Sequence, residues 1–216
     1  MRIEVIKLKE ENFFGKVLPH NVVAIVDDGL TLVDTSLPQN LDQLERGLRN
    51  IGFSLDDVGF ILLTHSHPDH VGNAEIIRRI SHAKIIAHKL EDFTLKEFNL
   101  KYEDVVNELN VSRDEFESTV KRINEITYEP PRIDVRVNGG EEIAGFRIMH
   151  VPGHTPGHIA LFNGETLITG DALRVDGGIR PPLPFFNWDQ VKALKSFNFL
   201  ISLPFKRLIP YHGELN

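Results

Sequence analysis

A chain of 216 residues, 41% of them apolar, can bury a sizeable core as one large domain or a domain with a subdomain, and is too apolar for disorder. Its net charge of −7 argues against a nucleic-acid partner, and no apolar stretch approaches the roughly twenty residues that cross a bilayer. Without cysteine there are no disulfides, thiolate metal sites or cysteine nucleophiles, so any metal must be held by imidazole and carboxylate, which suits zinc, iron, manganese or nickel.

The opening "MRIEVIKLKEEN" alternates apolar and charged residues and lacks a secretory core, so it reads as a strand and implies a cytoplasmic protein. "VVAIVDDGLTLVDTSL" follows as a hairpin turning at Asp-Asp-Gly. Pro38 then opens a helix with Leu41, Leu44, Leu48 and Ile51 on one face, stopped at Gly52. A strand over 59–63 runs into "THSHPDH" (64–70), where Pro68 fits a first helical turn. The spacing predicts that Asp69 and His70 sit at the start of a helix continuing through "VGNAEIIRRI". "AKIIAH" (83–88) is another strand, and the alternation of strands and helices indicates an α/β architecture.

Residues 91–131 change character. Thr94 with Glu97 and Ser112 with Glu115 are two capping-box signatures. Helical spacing follows in Tyr102, Val105, Val106 and Leu109, then in Phe116, Val120 and Ile123. This is a helical insertion within a single domain spanning 1–216; the sequence leaves open whether it forms a lid over a pocket or covers core or a dimer interface. Strands resume at "RIDVRV" (132–137). "VVAIVDDGLTLVD" (22–34) and "IALFNGETLITGD" (159–171) align without a gap, ending at Asp34 and Asp171, which suggests two similar halves. Val191, Leu194, Phe197 and Leu200 predict a helix over 188–201, before the closing strand "RLIP".

Four stretches place a metal-binding side chain just beyond an apolar strand: "FILLTHSHPDH" (His65, His67, Asp69, His70), "RIMHVPGH" (His154), "ETLITGD" (Asp171) and "RLIPYHG" (His212). The carboxyl ends of strands are where open α/β sheets gather functional loops. In extended chain His65 and His67 project to one side and can share an ion, while the turn at Pro68 redirects Asp69 and His70 toward a second, adjacent one. Asp171 taken alone is equally a turn residue or an architectural match to Asp34. His20, His82, His88 and His150 lack such a context and read as ordinary loop or surface groups.

With these residues in this order, the chain resembles the metallo-β-lactamase superfamily over nearly its whole length, and more closely the glyoxalase II-like and lactonase-like hydrolases. The resemblance implies a four-layer αβ/βα sandwich of two similar halves. It further implies that His65, His67 and His154 hold one divalent ion, that Asp69, His70 and His212 hold another, and that Asp171 bridges both, most readily with zinc. Asp34 would steady a ligand imidazole, with His158 in a similar supporting place. True β-lactamases of this fold generally use a cysteine at the second metal, flavodiiron proteins usually carry Glu where His67 stands, and the related nucleases have added domains. Glyoxalase II anchors glutathione through a C-terminal helical region with no counterpart after His212, so glutathione thioesters are not the expected substrates.

The expected reaction is attack by a metal-bridging hydroxide, its water acidified to a pKa of about 7, on an ester, thioester or lactone carbonyl of a small-molecule substrate. Asp69 would orient that nucleophile and accept its proton. The alternatives are a mononuclear iron oxygenase of the persulfide dioxygenase kind and a phosphodiesterase. The pocket should lie between the insertion and "RVDGGIRPPLPFFNW" (174–188), with Tyr211 at its edge. Phe185, Phe186 and Trp188 would line an acyl pocket or, for at least two of them, pack the last helix; Arg174 and Arg180 would meet an anionic group or solvent. A homodimer is the default among oligomeric states.

Overall fold

The computed structural model describes residues 1–214. Strands β1 (Arg2–Phe13), β2 (Lys16–Val26) and β3 (Leu30–Val33) form an antiparallel meander, and α1 (Leu41–Asn50) carries the chain over to β4 (Val58–Leu62). Helices α2 (Pro68–Val71) and α3 (Ala74–Ser81) lead into β5 (Lys84–His88). Helices α4 (Tyr102–Leu109) and α5 (Arg113–Glu125) come next, then β6 (Val135–Val137) closes the first sheet, in the order β1-β2-β3-β4-β5-β6. The second sheet contains β7 (Glu142–Ile143), β8 (Phe146–His150), β9 (Ile159–Phe162) and β10 (Thr166–Ile168). A two-stranded ribbon, β11 (Arg174–Val175) with β12 (Ile179–Arg180), and helix α6 (Gln190–Ile201) precede β13 (Arg207–Ile209), giving the order β13-β10-β9-β8-β7.

Alternation along the strands builds the layers. On β2, Val22 and Ala24 face α1 and α3, while Val23 and Ile25 face the other sheet. On β9, Ile159 and Leu161 meet them between the sheets, and Ala160 points outward to Leu200 of α6. The result is helix, sheet, sheet, helix: an α/β four-layer sandwich in which each buried Leu or Ile contributes roughly 1.5–3 kcal/mol over exposure.

The two halves repeat one topology. Strands β2 and β3 are antiparallel and β3 then pairs in parallel with β4; β9 and β10 are antiparallel and β10 then pairs in parallel with β13. The ungapped alignment is one residue out across the turn, however. Val26 pairs with Leu30 in the first half, whereas Phe162 pairs with Leu167 in the second. The second turn is one residue longer, so Ile25 corresponds to Leu161 rather than Phe162. A one-residue slip exchanges the faces of a strand, and only this correspondence keeps both side chains between the sheets.

Four further elements differ from the sequence reading. The helix expected after Pro68 is two helices, broken where the Asn73 amide donates to the carbonyls of Thr35 and Leu37 at 2.8 and 2.7 Å. Thr94 caps no helix: its N–H and hydroxyl both donate to Asp92 Oδ1, a local turn that competes with helix entry. Ser112 and Glu115 do form a capping box, at the start of α5. Strand β6 covers only the end of 132–137. Helix α6 buries Ala193, Ser196 and Leu200, leaving Val191 and Leu194 exposed. Close approach decides that face, since a Cβ on Gly153 (φ +139°) would lie 2.0 Å from the Ala193 nitrogen, and Ser196 Oγ donates to Pro152 O at 2.7 Å.

Helices α4 and α5 have a small core of their own: Phe14, Val105, Val111 and Phe116, with Phe185 and Phe186 packed against it. The insertion thus rests on the β1–β2 turn and on the loop before α6.

Candidate metal centre

The centre begins one residue beyond β3. Asp34 is 1% exposed and held in the left-handed region (φ 62°). Its Oδ1 accepts the Thr64 N–H at 2.8 Å, and its Oδ2 accepts Thr64 Oγ1 and lies 2.8 Å from His70 Nδ1. One carboxylate therefore shapes the turn after β4 and fixes the His70 tautomer, with Nδ1 carrying the proton and Nε2 turned away. His67 is the residue before α2, and Asp69 and His70 occupy that helix's single turn.

The other groups arrive from strand ends in the second half. His154 follows β8, and its Nδ1 lies 2.9 Å from Asn187 Oδ1, which leaves Nε2 facing His67 Nδ1 at 3.0 Å. Asp171 follows β10, and its N–H donates to His158 Nε2 at 3.0 Å. Gly170 is required beside it: at φ +51° a Cβ there would come 2.8 Å from the Thr64 side chain. His212 follows β13; its Nδ1 lies 2.8 Å from Pro19 O, and its Nε2 faces Asp69 Oδ2 at 3.2 Å and Asp171 Oδ2 at 3.4 Å.

All seven side chains singled out by the sequence come together in two adjoining sets. His65, His67, His154 and Asp171 form one; Asp69, His70, Asp171 and His212 form the other, and within each set the donor atoms lie within 4.8 Å of one another. The donors fit cations. Buried His65 Nε2, His70 Nε2 and Asp171 Oδ1 have no hydrogen-bond partner among the described residues, a costly arrangement unless an ion completes it.

Electrostatics divide the imidazoles into two groups. Burial and neighbouring histidines hold His65 well below its ordinary value, and burial with His154 takes His67 down to about 3. Burial opposes protonation at His212 too, but Asp171 and Asp69 push it up to about 10. His70 is likewise raised, against burial, by Asp171, Asp69 and Asp34. Asp69 and Asp171 are both held well below the usual carboxylate range, overcoming burial through His70 and His212. The same two carboxylates that raise His70 and His212 are the groups a cation at the site would neutralise.

Above the donors lies a cavity of about 90 Å³, walled by Phe13, Leu18, Phe98, Ile123, Leu183 and Phe186. Phe186 faces it, 6.3 Å from the His67 ring, while Phe185 packs against Phe14 in the core of the insertion. Trp188 is exposed, with Lys192 over its ring. Arg174 lines the cavity and pairs with Asp176; Arg180 is exposed. Tyr211 is not at the edge: it is 3% exposed, its hydroxyl donates to Asp69 O at 2.5 Å, and its ring lies 3.8 Å from that of His70.

Sequence reasoning passed over three residues that touch this machinery. Asn187 orients His154, and its only signal was a polar residue inside an aromatic loop. Glu91 is buried, and its Oε1 accepts Thr155 Oγ1 at 2.5 Å and the Gly157 N–H at 2.7 Å, clamping the His154 loop. His20, read as an ordinary loop group, is fully buried with its ring 5.2 Å from that of His212.

Residues 15–212 match the family described as the Metallo-beta-lactamase superfamily, and the chain belongs to it. Among similar proteins, the uncharacterized protein YobT of Bacillus subtilis (strain 168) is 29% identical, with 94% of this chain and 86% of that one covered. An N-acyl homoserine lactonase of Bacillus thuringiensis is 24% identical over 81% of this chain and 71% of its own length. The crystal structure of the metallo-beta-lactamase family protein TTHA1429 from Thermus thermophilus superposes with a TM-score of 0.71 at 25% identity, covering 98% of this chain and 73% of that one.

Proposed function

We propose that this protein is a dinuclear metal-dependent hydrolase that cleaves an ester, thioester or lactone of a small, largely apolar substrate. The observation that carries the reading is the pair of donor sets sharing Asp171 on the floor of an apolar cavity. A single-iron oxygenase needs only one such set, so the second argues for two ions. His65, His67 and His154 would hold the first, Asp69, His70 and His212 the second, with Asp171 between them. Divalent ions there, zinc being best suited to this donor set, would supply an acidified water and a Lewis acid for the carbonyl oxygen.

The chain's own residues do the rest. Asp34 and Asn187 hold the His70 and His154 rings with the unprotonated nitrogen inward. Asp69, one-fifth exposed at the cavity floor, presents Oδ2 to orient the nucleophile and hold the proton it gives up. The apolar wall admits an acyl chain and thins the water around the reacting carbonyl. The similarity to an N-acyl homoserine lactonase supports a lactone or ester rather than a phosphodiester.

The deciding experiment is elemental mass spectrometry of purified protein together with an ester, thioester and lactone panel. About two ions per chain with turnover of an acyl substrate is the expected result. One iron per chain with oxygen uptake on a persulfide would replace this reading with the oxygenase.

A further inference from the structure

One wall of the cavity breaks its apolar character. Glu10, on β1 and paired across the hairpin with Leu18, lines the cavity yet is only 6% exposed. Its Oε1 receives Arg122 Nη2 of α5 at 2.9 Å, and the same guanidinium donates to Asn12 O at 3.0 Å. Its Oε2 lies 3.7 Å from His20 Nε2, beyond hydrogen-bond distance, and that nitrogen is itself buried without a partner. His20 cannot move to close the gap cheaply, because its Nδ1 is engaged at 2.8 Å by Ser36 Oγ and its ring is stacked on Tyr211. The carboxylate oxygen not taken by Arg122 thus has no hydrogen-bond donor among the described residues and stays accessible beside an apolar chamber, where a ligand's donor can reach it.

Resting on the hydrolase reading of this same site, we propose that Glu10 is its specificity-determining residue, with Oε2 accepting a hydrogen bond from a neutral hydroxyl or amide N–H on the substrate's acyl part. A neutral donor fits better than a cation, since Arg122 already balances the carboxylate charge. A site built to receive a donor discriminates against the analogue lacking it far more strongly than an apolar wall discriminates by size.

The test is a ladder of p-nitrophenyl esters of increasing acyl length, each in unsubstituted, ω-hydroxy, ω-carboxamide and ω-methoxy form, measured on the metal-loaded full chain. At one length the ω-hydroxy or ω-carboxamide ester should show a KM about tenfold below its unsubstituted counterpart, and which of the two does so separates hydroxyl from N–H recognition. Glu10→Gln keeps a carbonyl oxygen for Arg122 and turns an NH2 donor into the cavity, so the preference should pass to the ω-methoxy ester. Glu10→Asp withdraws the acceptor by one methylene and should move the preferred length up by one carbon. Each readout is a ratio within one protein, so a general loss of fold or metal cancels. No donor preference at any length in the wild type, or an unaltered preference in both variants, overturns the proposal. If no p-nitrophenyl ester turns over, the hydrolase reading is decided separately by metal content and the thioester and lactone panel; calorimetric binding of ω-hydroxy methyl ketones against their parent ketones then decides the role of Glu10 by the same tenfold criterion.

Discussion

Asp34 and Asp171 occupy equivalent places in the two halves, each just past the second strand of a hairpin whose outer neighbour is parallel. Their environments have little in common. Asp34 is 1% exposed and spends both oxygens on Thr64 and His70. Asp171 stands at the cavity floor, with His70, His154 and His212 between 3.3 and 3.6 Å away and Oδ1 lacking any hydrogen-bond partner among the described residues. The repeated sheet delivers a carboxylate to the rim of each half, and what surrounds the rim decides its chemistry. In the first half the following turn wraps Asp34, and that enclosed carboxylate becomes the support for His70. In the second, the left-handed Gly170 turns Asp171 outward.

Exchanging each carboxylate for its amide should separate these fates most sharply. Asp171→Asn removes the only side chain common to both donor sets; hydrolysis should fall at least about 10³-fold, with loss of bound metal, in elemental analysis paired with kinetics. Retention of both metals and rate would mean the shared carboxylate is not a ligand. Below the rims the halves should behave alike. Ile25→Ala and Leu161→Ala, at corresponding positions between the sheets, should each cost about 2–5 kcal/mol in urea denaturation. A negligible cost at either position would contradict the one-residue correction to the internal alignment. Asp34→Asn should fall lower on the scale. The new NH2 cannot accept from His70 Nδ1, and if the ring changes tautomer the proton moves to the nitrogen needed for a cation. Metal affinity by chelator competition should drop about 10–100-fold, and an unchanged constant would reduce Asp34 to a turn residue.

What the sequence made legible was whatever a strand end and a few following residues settle between themselves. The candidate metal-binding residues lie directly beyond apolar runs, so their convergence needed only the general rule for strand ends. The hairpins, α1 and the Ser112 capping box were readable for the same local reason. What escaped depends on contacts distant in sequence. The break between α2 and α3 is set by Asn73 reaching back to residues 35–37, and the clamp on the His154 loop is made by Glu91, more than sixty residues earlier. The extra residue in the second hairpin turn was invisible because either register keeps apolar residues in line.

The outer helices carry the comparison to its smallest effect. Helix α1 turns large side chains, Leu44 and Leu48, onto the first sheet, so reading apolar size along its sequence found its inner face. The same rule was right for Phe197 and Leu200 but misplaced the start of α6, because the approach to Gly153 takes Ala193 and Ser196 inward and turns Val191 and Leu194 outward at 64% and 39% exposure. Leu194→Ala should therefore change stability by no more than about 0.5 kcal/mol, the range of surface substitutions. A loss above about 2 kcal/mol would mean the side chain is covered. If that loss grew with protein concentration, the cover would be a second copy of the chain; if it did not, α6 would be rotated toward the face that its apolar spacing alone describes.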